Sequence, residues 1–98
     1  MNIQEIEQVI LGALETINQE RSEVERFAAT GDTALFGAGG VLDSLELVSL
    51  IVDVETAVAD VTGKQISLTD DRAMNQPEYP FGSVSLLTCY IEKLLSED

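Results

Sequence analysis

The chain has 98 residues, a length that fits one domain. Five basic residues against 18 acidic ones leave a net charge of −13, which argues against nucleic acid or an anionic membrane surface and favours basic partners. Hydrophobic residues make up 45% of the chain, too many for a disordered acidic tail, and the absence of His together with a single Cys, Cys89, excludes His-based triads, intramolecular disulfides and Cys/His zinc sites.

Ile3, Ile6, Ile10, Ala13 and Ile17 recur at three- and four-residue steps, the stripe of an amphipathic helix, with Glu5, Glu7 and Glu15 mostly off it. Asn2 suits an N-cap, and Glu5 three residues later completes a capping-box pattern. Val24 and Phe27 extend the spacing, so the helix is expected to run on through residues 20–26. Residues 28–43 then read as a long loop, punctuated by Gly31, Gly37, Gly39 and Gly40 and pinned to the core by Leu35, Phe36, Val41 and Leu42.

Residues 45–61 carry the strongest helical pattern. Leu47, Leu50, Ile51, Val54, Val58 and Val61 form one stripe, and Leu45, Val48 and Val52 form a second, narrower line. Gly63 supplies a stop, with Lys64 favourable beside the negative end of the dipole. Ile66 and Leu68 anchor a connection, and residues 64–68 are too short and unpartnered to predict a strand. Thr69 caps a short expected helix over residues 70–75, with Asp70 and Asp71 in its first turn and Pro77 and Pro80 beyond its end. Gly82 or Ser83 opens the last helix, whose stripe is Val84, Leu87, Ile91, Leu94 and Leu95, and Phe81 with Leu86 suits a hydrophobic staple. The expected fold is all-α: a small four-helix bundle of three main helices and one short one, with a long loop between the first and second.

Little in this chain suits chemistry. No apolar run approaches the roughly 18–20 residues that span a bilayer, and MNIQEIEQVI lacks the basic start of a signal peptide, so the expected compartment is the cytoplasm. The run Gly37-Ala38-Gly39-Gly40 is followed by no Gly-Lys-Ser/Thr, and the acids do not fall into a calcium-loop pattern. Cys89 lies about 140–160° from the centre of its helix's apolar stripe, which predicts an exposed, incidental thiol. A serine hydrolase needs a base beside its nucleophile, and neither Lys64 nor Lys93 stands in a motif that supplies one.

Ser44 remains. It lies in Gly40-Val41-Leu42-Asp43-Ser44-Leu45-Glu46-Leu47, where the long loop meets the most apolar helix. Asp43 with Glu46 forms a capping-box pattern, which makes Ser44 the first helical residue. Its hydroxyl is then expected to point outward, beside free backbone N–H groups and the positive end of the helix dipole, a favourable place for a phosphate ester. Leu45, Val48 and Val52 form an apolar strip suited to a partner, bordered by Glu46, Asp53 and Glu55, which suit a basic one.

With this order of elements, the chain resembles acyl carrier proteins, whose Asp-Ser-Leu motif at the start of the second helix matches Asp43-Ser44-Leu45. The form Gly-x-Leu-Asp-Ser-Leu is more similar to that of D-alanyl carriers and other stand-alone, specialised carriers. Ser49 stands where many fatty-acid carriers have Glu. The resemblance implies that a phosphopantetheinyl transferase, using magnesium, moves 4′-phosphopantetheine from coenzyme A onto Ser44, with Asp43 as motif context. It implies that the arm's thiol carries an acyl or aminoacyl group as a thioester, and that the chain itself catalyses nothing. The implied partners are that transferase, an acyl- or aminoacyl-loading ligase and downstream acyl-processing enzymes, meeting Leu45, Glu46, Val48, Val52 and Glu55 on a monomeric chain. The alternative is an unmodified acidic helical protein-interaction module in which Ser44 is only part of a cap.

Overall fold

The computed structural model describes residues 2–37, 39–68 and 79–96. Helix α1 spans Ile3–Gln19 and opens on the expected capping box: Asn2 Oδ1 accepts from the Glu5 amide at 2.8 Å, and Glu5 Oε1 accepts from the Asn2 amide at 3.1 Å. Its buried face is Ile6, Ile10, Leu14 and Ile17. Leu14 therefore takes the core position expected of Ala13, which is half-buried, while Ile3 is largely exposed. A leucine gains far more from that position than an alanine methyl does.

The helix also stops earlier than its apolar spacing suggests. The amides of Glu20 and Arg21 bond back three residues, to the carbonyls of Ile17 and Asn18, tightening the last turn. The buried Asn18 side chain then turns to the returning chain, donating from Nδ2 to the Phe27 carbonyl at 2.7 Å and accepting from the Phe27 amide at 3.1 Å. Residues 20–26 are a turn with a 3-10 segment at Glu23–Glu25, and Val24 faces solvent rather than the core.

Helix α2 spans Ser44–Thr62 and buries Leu47, Leu50, Ile51, Val54 and Val58; Val61, expected on this stripe, is exposed. Gly63 ends it in the left-handed region at φ 73°, donating its amide to the Ala59 carbonyl at 2.8 Å, a conformation that costs a β-carbon-bearing residue strain. Just beyond this stop, Lys64 ties the end of α2 to the C-terminal end of the last helix, its Nζ donating to the Leu95 carbonyl at 3.2 Å. Residues 64–68 are irregular, as expected, with Leu68 buried and its amide donating to Glu55 Oε2 at 2.8 Å.

Helix α3 spans Val84–Ser96 behind a 3-10 turn at Pro80–Gly82. It buries Val84, Leu87, Tyr90 and Ile91, with the Thr88 hydroxyl satisfied by the Val84 carbonyl at 2.8 Å. Helix α1 packs against both α2 and α3, and one apolar cluster joins their inner faces to Leu35, Leu42, Leu68 and Phe81. The described residues thus form an all-helical fold of three α-helices and two 3-10 turns, without strands. The short helix expected over residues 70–75 lies outside the described residues. None of the described helices is long and apolar enough to cross a membrane.

Candidate functional site

The long loop brings the chain to Ser44 by a fixed route. Its carbonyls at Gly31 and Thr33 accept from the first amides of α3, Ser85 and Val84, both at 3.0 Å, while the Phe36 amide donates to the Phe81 carbonyl at 2.9 Å. Backbone donors that a helix leaves unpaired at its start are therefore satisfied by the loop. Farther on, the loop folds against itself. Val41 and Leu42 donate to the carbonyls of Ala34 and Leu35, each at 3.0 Å, and Leu35 and Leu42 are both buried.

This closure requires glycine at position 40. A β-carbon there would lie 2.7 Å from Phe36 Cα and 2.8 Å from the Leu35 carbonyl oxygen, both backbone atoms with no freedom to retreat. Gly40 thus serves the close approach of two backbone segments, three residues before Asp43, whereas Gly37 and Gly39 take positive φ, at 99 and 77°, in open space.

At the start of α2 the expected cap is complete. Asp43 Oδ1 accepts from the Glu46 amide at 2.8 Å, and Glu46 Oε1 accepts from the Asp43 amide at 3.1 Å. Ser44 is the first residue of α2 and is exposed. Its hydroxyl makes no hydrogen bond to the described residues, and neither do the backbone amides of Ser44 and Leu45. Two backbone donors at the positive end of a 19-residue helix thus stand beside a spare hydroxyl.

Arg21 joins this cap to the turn after α1. Its Nε and Nη2 grip the two carboxylate oxygens of Glu46 at 3.1 and 2.6 Å. Nη2 also donates to the Val41 carbonyl at 2.6 Å, Nη1 donates to the Glu25 carbonyl at 3.3 Å, and the guanidinium stands 5.0 Å from the centre of the Phe27 ring. No local pattern announces this role, because Arg21 and Glu46 are 25 positions apart and meet only once the loop has closed.

The second apolar line of α2 faces outward as expected: Leu45, Val48 and Val52 are 81, 57 and 53% exposed. They recur at three- and four-residue steps, so they share one face running away from Ser44. The acids around them differ in availability. Asp53 is exposed, whereas Glu46 is held by Arg21 and Glu55 by the Leu68 amide. Cys89 is exposed on α3, and among the described residues no cluster of three or more His, Cys, Asp or Glu side chains could hold a metal. Comparison of the chain with protein-family models, curated proteins and solved structures finds no match.

Proposed function

We propose that the chain is an acyl carrier whose Ser44 accepts 4′-phosphopantetheine. One observation carries this reading: Ser44 is exposed at the first position of α2 with its hydroxyl unused, because Asp43 and Glu46 complete the cap without it. The residues present fit a phosphodiester at that oxygen. The free amides of Ser44 and Leu45 offer donors to an anion, and Arg21 offsets the charge of the nearest carboxylate on α2, Glu46. When attached, such an arm supplies a terminal thiol that carries an acyl or aminoacyl group as a thioester.

In this reading the chain contributes an acceptor hydroxyl and a docking face, and catalyses nothing itself. In the transfer the Ser44 oxygen bonds to the pantetheine-side phosphorus of coenzyme A, the pyrophosphate bond breaks to release 3′,5′-adenosine bisphosphate, and the Ser44 proton passes to a base of the transferase. Leu45, Val48 and Val52 give that enzyme, the loading ligase and later acyl-processing enzymes an apolar face, and the acidic surface favours those with a basic rim. The proposed setting is a specialised cytoplasmic biosynthetic pathway served by a monomer.

The test is intact mass after incubation with coenzyme A, magnesium and a broad-specificity phosphopantetheinyl transferase. The wild-type chain gains one phosphopantetheinyl mass and Ser44→Ala gains none. A folded wild-type chain that gains nothing overturns the proposal. The exposed strip would serve an unmodified interaction module equally well, and that second reading is the one left standing by such a result.

A further inference from the structure

Arg21 occupies a position that an acyl carrier does not by itself require to be an arginine. Its side chain is only 19% exposed and the Glu46 carboxylate it grips is 25% exposed, so both work mainly inside the protein. Its hydrogen bonds converge on three places. They hold Val41, two residues before Asp43; Glu46, two residues after Ser44; and Glu25, in the turn that follows α1. The segment that presents Ser44 is therefore clamped on both sides by one guanidinium. Glu46 Oε1 passes the constraint on, since it also accepts from the Asp43 amide.

The clamp is itself tied to the core. Asn18, buried on α1, fixes the backbone of Phe27 through two hydrogen bonds, and the Phe27 ring lies against the Arg21 guanidinium. A continuous line of contacts thus runs from the inner face of α1 through Phe27 and Arg21 to the residues flanking Ser44. A planar fork with several fixed donors suits four acceptors in different directions; a lysine ammonium on a flexible stem does not.

We propose that Arg21 is a positioning residue for modification of Ser44: it holds residues 41–46 in the one arrangement that presents the hydroxyl to a phosphopantetheinyl transferase. This inference rests on the carrier reading. It differs from a purely structural role because Arg21 fixes where the hydroxyl stands, while the docking strip on α2 lies on a face that Arg21 does not touch. Loss of the clamp therefore lowers the rate of the transfer step and leaves recognition of the strip intact.

The experiment compares wild type, Arg21→Ala and Arg21→Lys as transferase substrates at saturating coenzyme A, with thermal melts and amide hydrogen exchange of residues 41–46 measured on the unmodified proteins. Misplacement of a reacting group on the ångström scale lowers kcat by roughly ten- to hundredfold, with KM within about twofold of wild type and faster exchange at residues 41–46. Arg21→Lys keeps the charge and much of the stem. It recovers most of the melting temperature but not the kcat, a separation that a merely structural role does not produce. Should Arg21→Ala fail to fold, Arg21→Lys alone decides. Wild-type kcat in a folded variant, or a loss confined to KM, overturns the inference. Absence of any modification of the wild-type chain overturns the carrier reading instead.

Discussion

Asp43 and Glu46 cap α2 reciprocally, each side chain accepting the other's backbone amide, at 2.8 and 3.1 Å. Between them Ser44 stands in the first turn with nothing to do. A serine at the junction of a loop and a helix ordinarily serves as the cap itself. Here the capping position has moved one residue earlier, so that the hydroxyl is separated from the stability of the helix and remains available to a partner.

That separation makes a paired prediction. Asp43→Ala removes the acceptor for the Glu46 amide and costs about 1 kcal/mol, a fall in Tm of roughly 4–8 °C for a domain of this size. Ser44→Ala changes stability by less than about 0.5 kcal/mol while abolishing the mass gain with coenzyme A. Thermal melts and intact mass on the two variants check both halves. A large stability loss in Ser44→Ala would show that its hydroxyl belongs to the cap after all.

Two glycines should respond oppositely to alanine. Gly40→Ala drives a β-carbon to within 2.7 Å of Phe36 Cα, so the loop must open, at a cost of about 1–3 kcal/mol. The same change loosens the Val41 carbonyl from Arg21. Gly12 lies inside α1, exposed, with open space around its would-be β-carbon. Gly12→Ala therefore stabilises by up to about 1 kcal/mol through helix propensity alone. Urea denaturation of both variants measures the contrast.

What the sequence makes legible follows the range of the interactions involved. Both capping boxes, the Gly63 stop and the outward face of Leu45, Val48 and Val52 depend on residues within one or two turns of each other, and each is where periodicity and capping rules put it. The end of α1 is not, because it depends on Asn18 spending its amide on Phe27, nine residues on. Periodicity also counts Val24 as a continuation of the stripe, although the turn at 20–26 points it to solvent. Glu46 and Glu55 read as surface acids for a partner; their internal partners, Arg21 and the Leu68 amide, stand 25 and 13 positions away. The identity of the hydroxyl is local information, whereas what aims it is tertiary.

Asn18 gives a direct measure of that tertiary part. Its carboxamide donates to the Phe27 carbonyl and accepts from the Phe27 amide, so truncation to alanine leaves two backbone groups short of partners, at about 1–3 kcal/mol. Asn18→Asp is expected to be at least as damaging, because a carboxylate then faces the Phe27 carbonyl and has no donor for it. Denaturant melts give the cost. Hydrogen exchange at Phe27, accelerated in both variants, shows that the loss lies in the return of the chain.

The proposed docking face should be separable from the fold. Leu45, Val48 and Val52 are more than half exposed, so Val48→Asp or Val52→Asp removes little buried area and leaves Tm within a few degrees of wild type. A carboxylate on the strip must be desolvated when an apolar partner surface closes over it, which raises the transferase KM by roughly tenfold or more. Unchanged transferase kinetics in both variants would remove the strip from the recognition surface.

The charge balance makes the last prediction. At −13 on 98 residues, carboxylates on neighbouring elements repel at low ionic strength, and the chain has only five cations to offset 18 acids. One of the five, Arg21, is already spent on Glu46. Glu20, Glu23 and Glu25 crowd the turn around that pair, all exposed and therefore open to screening by salt, whereas the partly buried Arg21–Glu46 contact is screened much less. Raising the salt concentration, or adding magnesium, thus relieves repulsion without dissolving the clamp, and Tm should rise by several degrees. A relief of about 1 kcal/mol corresponds to roughly 4–8 °C. Melts across a sodium chloride and a magnesium titration measure it, and a Tm that stays flat in both contradicts the argument.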